Sequence, residues 1–294
     1  MLPSSYRLGP RVTTADGVNL ATYDLGGSGE TVILAHATGF HGRIWLPVAG
    51  HLRDRYHCWS YDVRGHGDSD PAPGRDYDWT GFGLDVLAVV DQVARLDGEA
   101  PLAVGHSGGA AAVLLAEESR PASFGALYCY EPVVWTPRPG RPVESPVDNA
   151  FAEGARRRRE VFESRAAARA NFATKAPFAA FDPAALDAYV EWGFRDCPEG
   201  GVALSCRRED EARIYEAAAR QHIFEHLDKV VCPVAVASGG LDAHFGVDAS
   251  RFLVGAIGAP TRVEVLPDLS HFGPMERPDE VASSIVAAFS AFGH

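Results

Sequence analysis

Gly105-His106-Ser107-Gly108-Gly109 stands between an apolar run, Pro101-Leu102-Ala103-Val104, and a run of helix formers, Ala110-Ala111-Ala112-Val113-Leu114-Leu115-Ala116-Glu117-Glu118. Strand, G-x-S-x-G, helix is the pattern of a nucleophile elbow. A turn this tight needs small residues where the backbone crowds itself, and Gly105 and Gly109 supply them. Ser107 is then held out at the C-terminal end of the strand, and the N-terminus of the following helix favours negative charge developing there.

The pentapeptide alone has little weight in a chain with 30 glycines. Its weight comes from further stations. His36-Ala37-Thr38-Gly39-Phe40 follows the buried-strand run Thr31-Val32-Ile33-Leu34-Ala35. Asp62-Val63-Arg64-Gly65-His66-Gly67-Asp68-Ser69 follows Tyr56-His57-Cys58-Trp59-Ser60-Tyr61. Asp242 lies in a Gly-Gly-Leu-Asp loop after Pro233-Val234-Ala235-Val236-Ala237, and His271 lies in Leu269-Ser270-His271-Phe272-Gly273-Pro274 after Arg262-Val263-Glu264-Val265-Leu266. Ser107, Asp242 and His271 come in the chain order Ser…Asp/Glu…His.

From about residue 11 to about residue 290 the sequence resembles α/β-hydrolase-fold proteins, specifically the cap-bearing esterase, lipase and lactonase branch. The resemblance is thinnest between about 135 and 225. It implies a mostly parallel twisted β-sheet flanked by helices, with an inserted helical cap. It also implies a serine hydrolase that needs no cofactor or metal. Serine at 107 counts against relatives whose nucleophile is an aspartate.

A hydroxyl attacks poorly unless a base lies within hydrogen-bond reach, so His271 is the expected partner of Ser107. A carboxylate on the other imidazole nitrogen fixes the tautomer and stabilises the imidazolium. Asp242 and Glu131 are both candidates, because chain order admits either. Asp242, after the strand preceding the histidine, is the preferred acid; Glu131, at the end of Leu127-Tyr128-Cys129-Tyr130, is the alternative. The oxyanion hole is expected from the backbone amides of Thr38 and Gly108. Ala37 stands where the family often has glycine. Phe40, His106, Trp135 and Trp192 are candidate pocket residues.

Composition bounds the partners. Hydrophobic residues make up 46% and charged residues 22% of the 294 residues, an ordinary globular composition with enough material for a sizeable core. A net charge of −12 argues against nucleic acid and against anionic membrane surfaces. The N-terminus carries no apolar run of signal-peptide length, which makes a cytoplasmic location the default expectation. Cys58, Cys129, Cys197, Cys206 and Cys232 have no regular spacing and suit a reducing compartment.

Val12 to Asp24 reads as a hairpin around Asp16-Gly17. Strand-like runs follow at about 31–36, 56–61, 101–106, 124–130, 232–238 and 261–266. Helical patterns separate them at about 43–53, 79–96, 107–119, 243–257 and 278–291. The alternation breaks after Tyr130 into Pro132, Pro137, Pro139, Pro142 and Pro146. From about 147 to 226 the pattern is helical with no convincing strand. Residues 1–132 and 230–294 are therefore expected to form the core, with 133–229 as the cap.

Other motifs have plainer readings. Asp62 to Ser69 reads as a tight structural loop pinned by Asp62 and Arg64. His222-Ile223-Phe224-Glu225-His226 spells a zinc-enzyme pattern, but without an evident third ligand it reads as a linker helix. Arg156-Arg157-Arg158-Arg159, among Glu153, Glu160 and Glu163, reads as a solvated helix face; the sharper alternative is an arginine that binds a substrate carboxylate or phosphate.

The expected activity is hydrolysis of carboxylic esters of small to medium apolar compounds through an acyl-enzyme. The partner is accordingly a small ester-like molecule. Lactone opening, carbon–carbon hydrolysis, peroxyacid formation and thioester or acyl-transfer chemistry would use the same triad. A ligand receptor on a hydrolase fold is the alternative from another class.

Overall fold

The computed structural model describes residues 6–135, 149–241 and 246–294. The chain opens with β1 (Arg7–Leu8), β2 (Val12–Thr13), β3 (Asn19–Leu20) and β4 (Thr22–Gly26). An alternating series follows: β5 (Glu30–Ala35), α1 (Leu46–Leu52), β6 (Tyr56–Tyr61), α2 (Trp79–Asp97), β7 (Leu102–His106), α3 (Gly108–Ser119) and β8 (Leu127–Tyr130). An insertion then carries α4 (Ala150–Arg157), β9 (Val161–Phe162), α5 (Arg165–Phe172), α6 (Pro183–Trp192), β10 (Phe194–Asp196), β11 (Val202–Leu204) and α7 (Arg208–Ala217). The series resumes with β12 (Val234–Gly239), α8 (Val247–Val254), β13 (Thr261–Leu266), α9 (Gly273–Glu276) and α10 (Pro278–Phe292).

Eight strands form one sheet in the order β1-β4-β6-β5-β7-β8-β12-β13. From β6 to β13 neighbouring strands are parallel, while β4 and β1 run antiparallel at one edge. Along β5, Val32 and Leu34 enter one core with α1 and α10, and Ile33 and Ala35 enter the other with α2 and α3. Helices on both faces explain why these strands read as continuous apolar runs. The hairpin forms between β2 and β3, with Val12 opposite Leu20. Its expected second strand is split, because Thr22–Gly26 leaves to pair with β6.

The insertion departs from the helical expectation. Its elements include a three-stranded antiparallel sheet in the order β10-β11-β9. Strands of two or three residues are too short to display a period of two, so the helical flanks hid them. The insertion's helices begin where side chains satisfy orphan amides: Asn149, Ser164 and Asp182 accept from Ala152, Ala167 and Ala184. Phe162, Phe172, Phe181, Tyr189 and Phe194 join the same core cluster as Phe40. The insertion therefore packs onto the sheet domain through aromatic contacts.

Candidate active site

Strand register gathers the site. Ala35 lies opposite Gly105, Gly105 opposite Cys129, and His106 opposite Tyr130. The loops leaving β5, β7 and β8 therefore begin at one level. β5 neighbours both β6 and β7, so the chain reverses its direction of travel across the sheet there. That switch, at the carboxyl ends of the strands, is where open α/β sheets form a ligand crevice.

Ser107 sits at φ 55° and ψ −115°, off the allowed regions for an L-residue, between β7 and α3. The flanking glycines are sterically required. A Cβ on Gly105 would lie 2.3 Å from Ala110 Cα, and one on Gly109 would lie 2.3 Å from the Ala35 carbonyl oxygen. The turn is locked by the Ser107 amide donating to Tyr130 O at 2.9 Å. A Cβ on Gly108 would stand 3.6 Å from Thr38 N, so the two amides expected to hold an oxyanion are neighbours.

His271 and Glu131 meet. His271 Nδ1 donates to Glu131 Oε2 at 2.7 Å, with the carboxylate side chain fully buried and the imidazole 14% exposed. A carboxylate only accepts, so Nδ1 carries the proton and Nε2 is left as the basic nitrogen. Glu131 Oε1 accepts the Gly239 amide at 2.8 Å, which fixes the carboxylate plane. Glu131 itself sits at φ 43°, and its amide donates to Ala237 O at 2.8 Å. Asp242 lies outside the described residues.

Further residues, which the sequence gave no reason to single out, hold the His271 loop. Tyr130 Oη donates to Ser270 O at 2.7 Å, and Glu276 accepts from the Ser270 amide and hydroxyl at 2.9 and 2.5 Å. His106, a candidate pocket residue, is fully buried. Its Nε2 donates to His271 O at 2.7 Å, and the two rings lie 4.9 Å apart. Burial pushes the His106 pKa well below the usual imidazole value, so it is a neutral strut. His106 also ties Ser107's own turn to the His271 loop.

The Phe40 ring centroid lies 6.4 Å from that of His106, 6.3 Å from Phe181 and 6.2 Å from Phe272. Trp135 is 42% exposed. Trp192 packs edge-on against Tyr6 at 5.5 Å and beside the Arg43 guanidinium at 5.6 Å.

The remaining motifs resolve differently from one another. Asp62 accepts from Tyr23 Oη and from the Gly42 and Asp68 amides at 2.6, 2.6 and 2.7 Å. Arg64 does not join it; its guanidinium binds Asp85 and Asp16, each at 2.7 Å in the closest contact. His222 begins a 3₁₀ segment, Ile223–Lys229, in which residues four apart no longer share a face. His222 donates to Glu225 at 3.1 Å. Among the described residues no group of three or more His, Cys, Asp or Glu could hold a metal ion. Of the four arginines, Arg158 departs from the solvated reading: it is mostly buried and bonds Glu211 of α7 and Tyr189 of α6. Arg156 pairs chiefly with Glu209 and Glu216, also on α7. Among the described residues no helix is long and apolar enough to cross a membrane.

The model of the alpha/beta hydrolase family matches residues 32–284, and the chain belongs to that family. Comparison with curated proteins gives no match. Among solved structures, an E-2-(acetamidomethylene)succinate hydrolase is similar with a TM-score of 0.78 and 20% identity, over 97% of this chain and 100% of that one. The enol-lactonase from Burkholderia xenovorans LB400 is similar with a TM-score of 0.72 and 22% identity, over 96% and 100%. A malate-bound thermophilic esterase from Thermogutta terrifontis gives 0.71 and 20%, over 97% and 99%. At these identities the likeness is one of fold.

Proposed function

We propose that the protein hydrolyses carboxylic esters of small to medium apolar compounds, with Ser107 as nucleophile, His271 as base and Glu131 as the acid of the triad. The reading rests above all on the buried 2.7 Å contact between His271 Nδ1 and Glu131, formed beside the strained Ser107 turn. Ser107 Oγ attacks the ester carbonyl and gives its proton to His271 Nε2. Negative charge collects on the carbonyl oxygen, facing the Thr38 and Gly108 amides. His271 returns the proton to the leaving alcohol, and an acyl-serine remains. Water, deprotonated by the same nitrogen, then releases the acid and restores the hydroxyl.

Phe40, Phe181 and Phe272 give the cleft an apolar wall, which suits an apolar acyl or alcohol group. On this reading the insertion between β8 and β12 is the cap. The test is a panel of p-nitrophenyl acyl esters with Ser107→Ala as control. Turnover that disappears in Ser107→Ala supports the reading. Tight ligand binding with negligible turnover of every ester would favour a receptor and overturn it.

A further inference from the structure

The Asp62–Ser69 loop contains a group that the proposed mechanism does not use. His66 Nε2 accepts the Gly39 amide at 2.9 Å, and its Nδ1 donates to Arg64 O at 3.1 Å. The reverse link comes from the other loop. His36 Nε2 accepts the Val63 amide at 3.0 Å, and its Nδ1 donates to Ala37 O at 2.8 Å. The two rings meet edge-on, with centroids 5.2 Å apart. Each loop therefore takes one backbone amide of the other through an imidazole whose tautomer is set by a carbonyl. We infer that His66 is a positioning residue for the oxyanion hole, holding the Gly39 amide so that the adjoining Thr38 amide faces the reacting carbonyl.

Three observations carry this. Gly39 sits at φ +84°, so this stretch of the loop is not in a conformation that L side chains readily adopt. The insertion closes its other side: a Cβ on Gly39 would lie 2.7 Å from Glu211 Oε1 and 3.4 Å from an Arg158 guanidinium nitrogen. The frame behind His66 is rigid, because Arg64 is bound by buried Asp85 through both Nε and an Nη. Trp79, Phe82 and Ile214 share the wall of the small void that His36, His66 and Thr38 line. Burial there lowers the pKa values to about 4 for His36 and about 3 for His66, which keeps Nε2 an acceptor at neutral pH.

The inference depends on the Thr38 and Gly108 amides being the oxyanion hole, as proposed above. The test compares His66→Leu, which removes the acceptor, with His66→Gln, whose amide oxygen can replace Nε2. The readouts are kcat and KM per titrated active site, with inhibition by an alkylboronic acid and by the product carboxylate. For His66→Leu, kcat is expected to fall about 10–100-fold and the boronate Ki to rise in proportion, with KM and product Ki within about 2-fold. His66→Gln is expected to recover most of both losses. Should His66→Leu not fold, His66→Asn, too short to reach the amide, is expected to show the same loss beside a recovered His66→Gln. The inference is overturned if the acceptor-lacking variant keeps wild-type kcat per site. Equal weakening of boronate and product, or no recovery in His66→Gln, also overturns it. Retained ester turnover in Ser107→Ala would instead overturn the underlying assignment.

Discussion

Replacing Glu131 by glutamine isolates the proposed role of the buried carboxylate. The side chains have the same shape, so packing is retained. One oxygen of Glu131 accepts the Gly239 amide at 2.8 Å and the other accepts His271 Nδ1 at 2.7 Å. In Glu131→Gln the amide oxygen must stay toward Gly239, because an NH₂ there would face a donor. The NH₂ then points at His271 Nδ1, which can only accept from it. The proton moves to Nε2, the nitrogen that should receive it from Ser107. The base is lost without loss of geometry, and kcat is expected to fall about 10³–10⁴-fold, or about 4–5.5 kcal/mol in the barrier. The assay is steady-state turnover of a p-nitrophenyl ester, normalised to titrated sites, with a thermal melt showing Tm within a few degrees of wild type. A Glu131→Gln enzyme keeping more than about a tenth of wild-type kcat would refute the tautomer argument. If Asp242→Asn abolished turnover in that same comparison, the acid would be Asp242.

The other predictions concern stability. Arg158→Met leaves Glu211, whose side chain is 6% exposed, without its guanidinium partner; a loss of about 3–5 kcal/mol in urea unfolding is expected, largely recovered in Arg158→Met/Glu211→Gln. An unchanged single variant would show that the pair adds nothing. His66, with its pKa lowered by burial to about 3, contributes stability that is present above the unfolded-state value near 6.5 and lost as pH falls toward the folded value. Below pH 6.5 the wild type should therefore lose about 1.4 kcal/mol per pH unit more than His66→Gln does, and parallel pH profiles would refute this. Glu118 is pushed the other way, up to about 8, chiefly by burial. Its contribution is present below the ordinary value of about 4.5 and lost as pH rises through about 8, so Glu118→Gln should gain about 1–3 kcal/mol over wild type at pH 8.5 and almost nothing at pH 4.5. Equal gains at both pH values would mean that the carboxyl is not the cause.

What the sequence disclosed divides by the range over which the physics acts. The elbow was legible because Gly105 and Gly109 answer local crowding, against Ala110 and against the end of β5. The central parallel strands β5, β7, β8 and β12 were legible because both their faces are covered, which leaves no polar alternation to confuse the pattern. Chain order admitted both Asp242 and Glu131 as the acid. What brings Glu131 to His271 is register: β8 lies beside β12 so that the residue after Tyr130 reaches Gly239. Arg158 was misread for a similar reason, since its carboxylate partner lies on α7 and not one helical turn away. His66 looked like a loop residue because its acceptor role appears only once Gly39 is brought against it.

Backbone strain at the site argues in the same direction. Among the described residues four that are not glycine have positive φ: Arg75, Ser107, Ala122 and Glu131. Such conformations cost about 1–3 kcal/mol each and persist only where the surroundings dictate them. For Ser107 and Glu131 those surroundings are on adjacent strands. The Ser107 amide is held by Tyr130 O, and the Glu131 amide, just past the end of β8, is held by Ala237 O on β12. Two strained positions are thus fixed in series across β7, β8 and β12, and His106 and Tyr130 reach from the same strand ends to the loop that carries His271. A fold that needed only stability would gain by relaxing these turns. Keeping both is what the nucleophile and acid proposed above would require of a preorganised site.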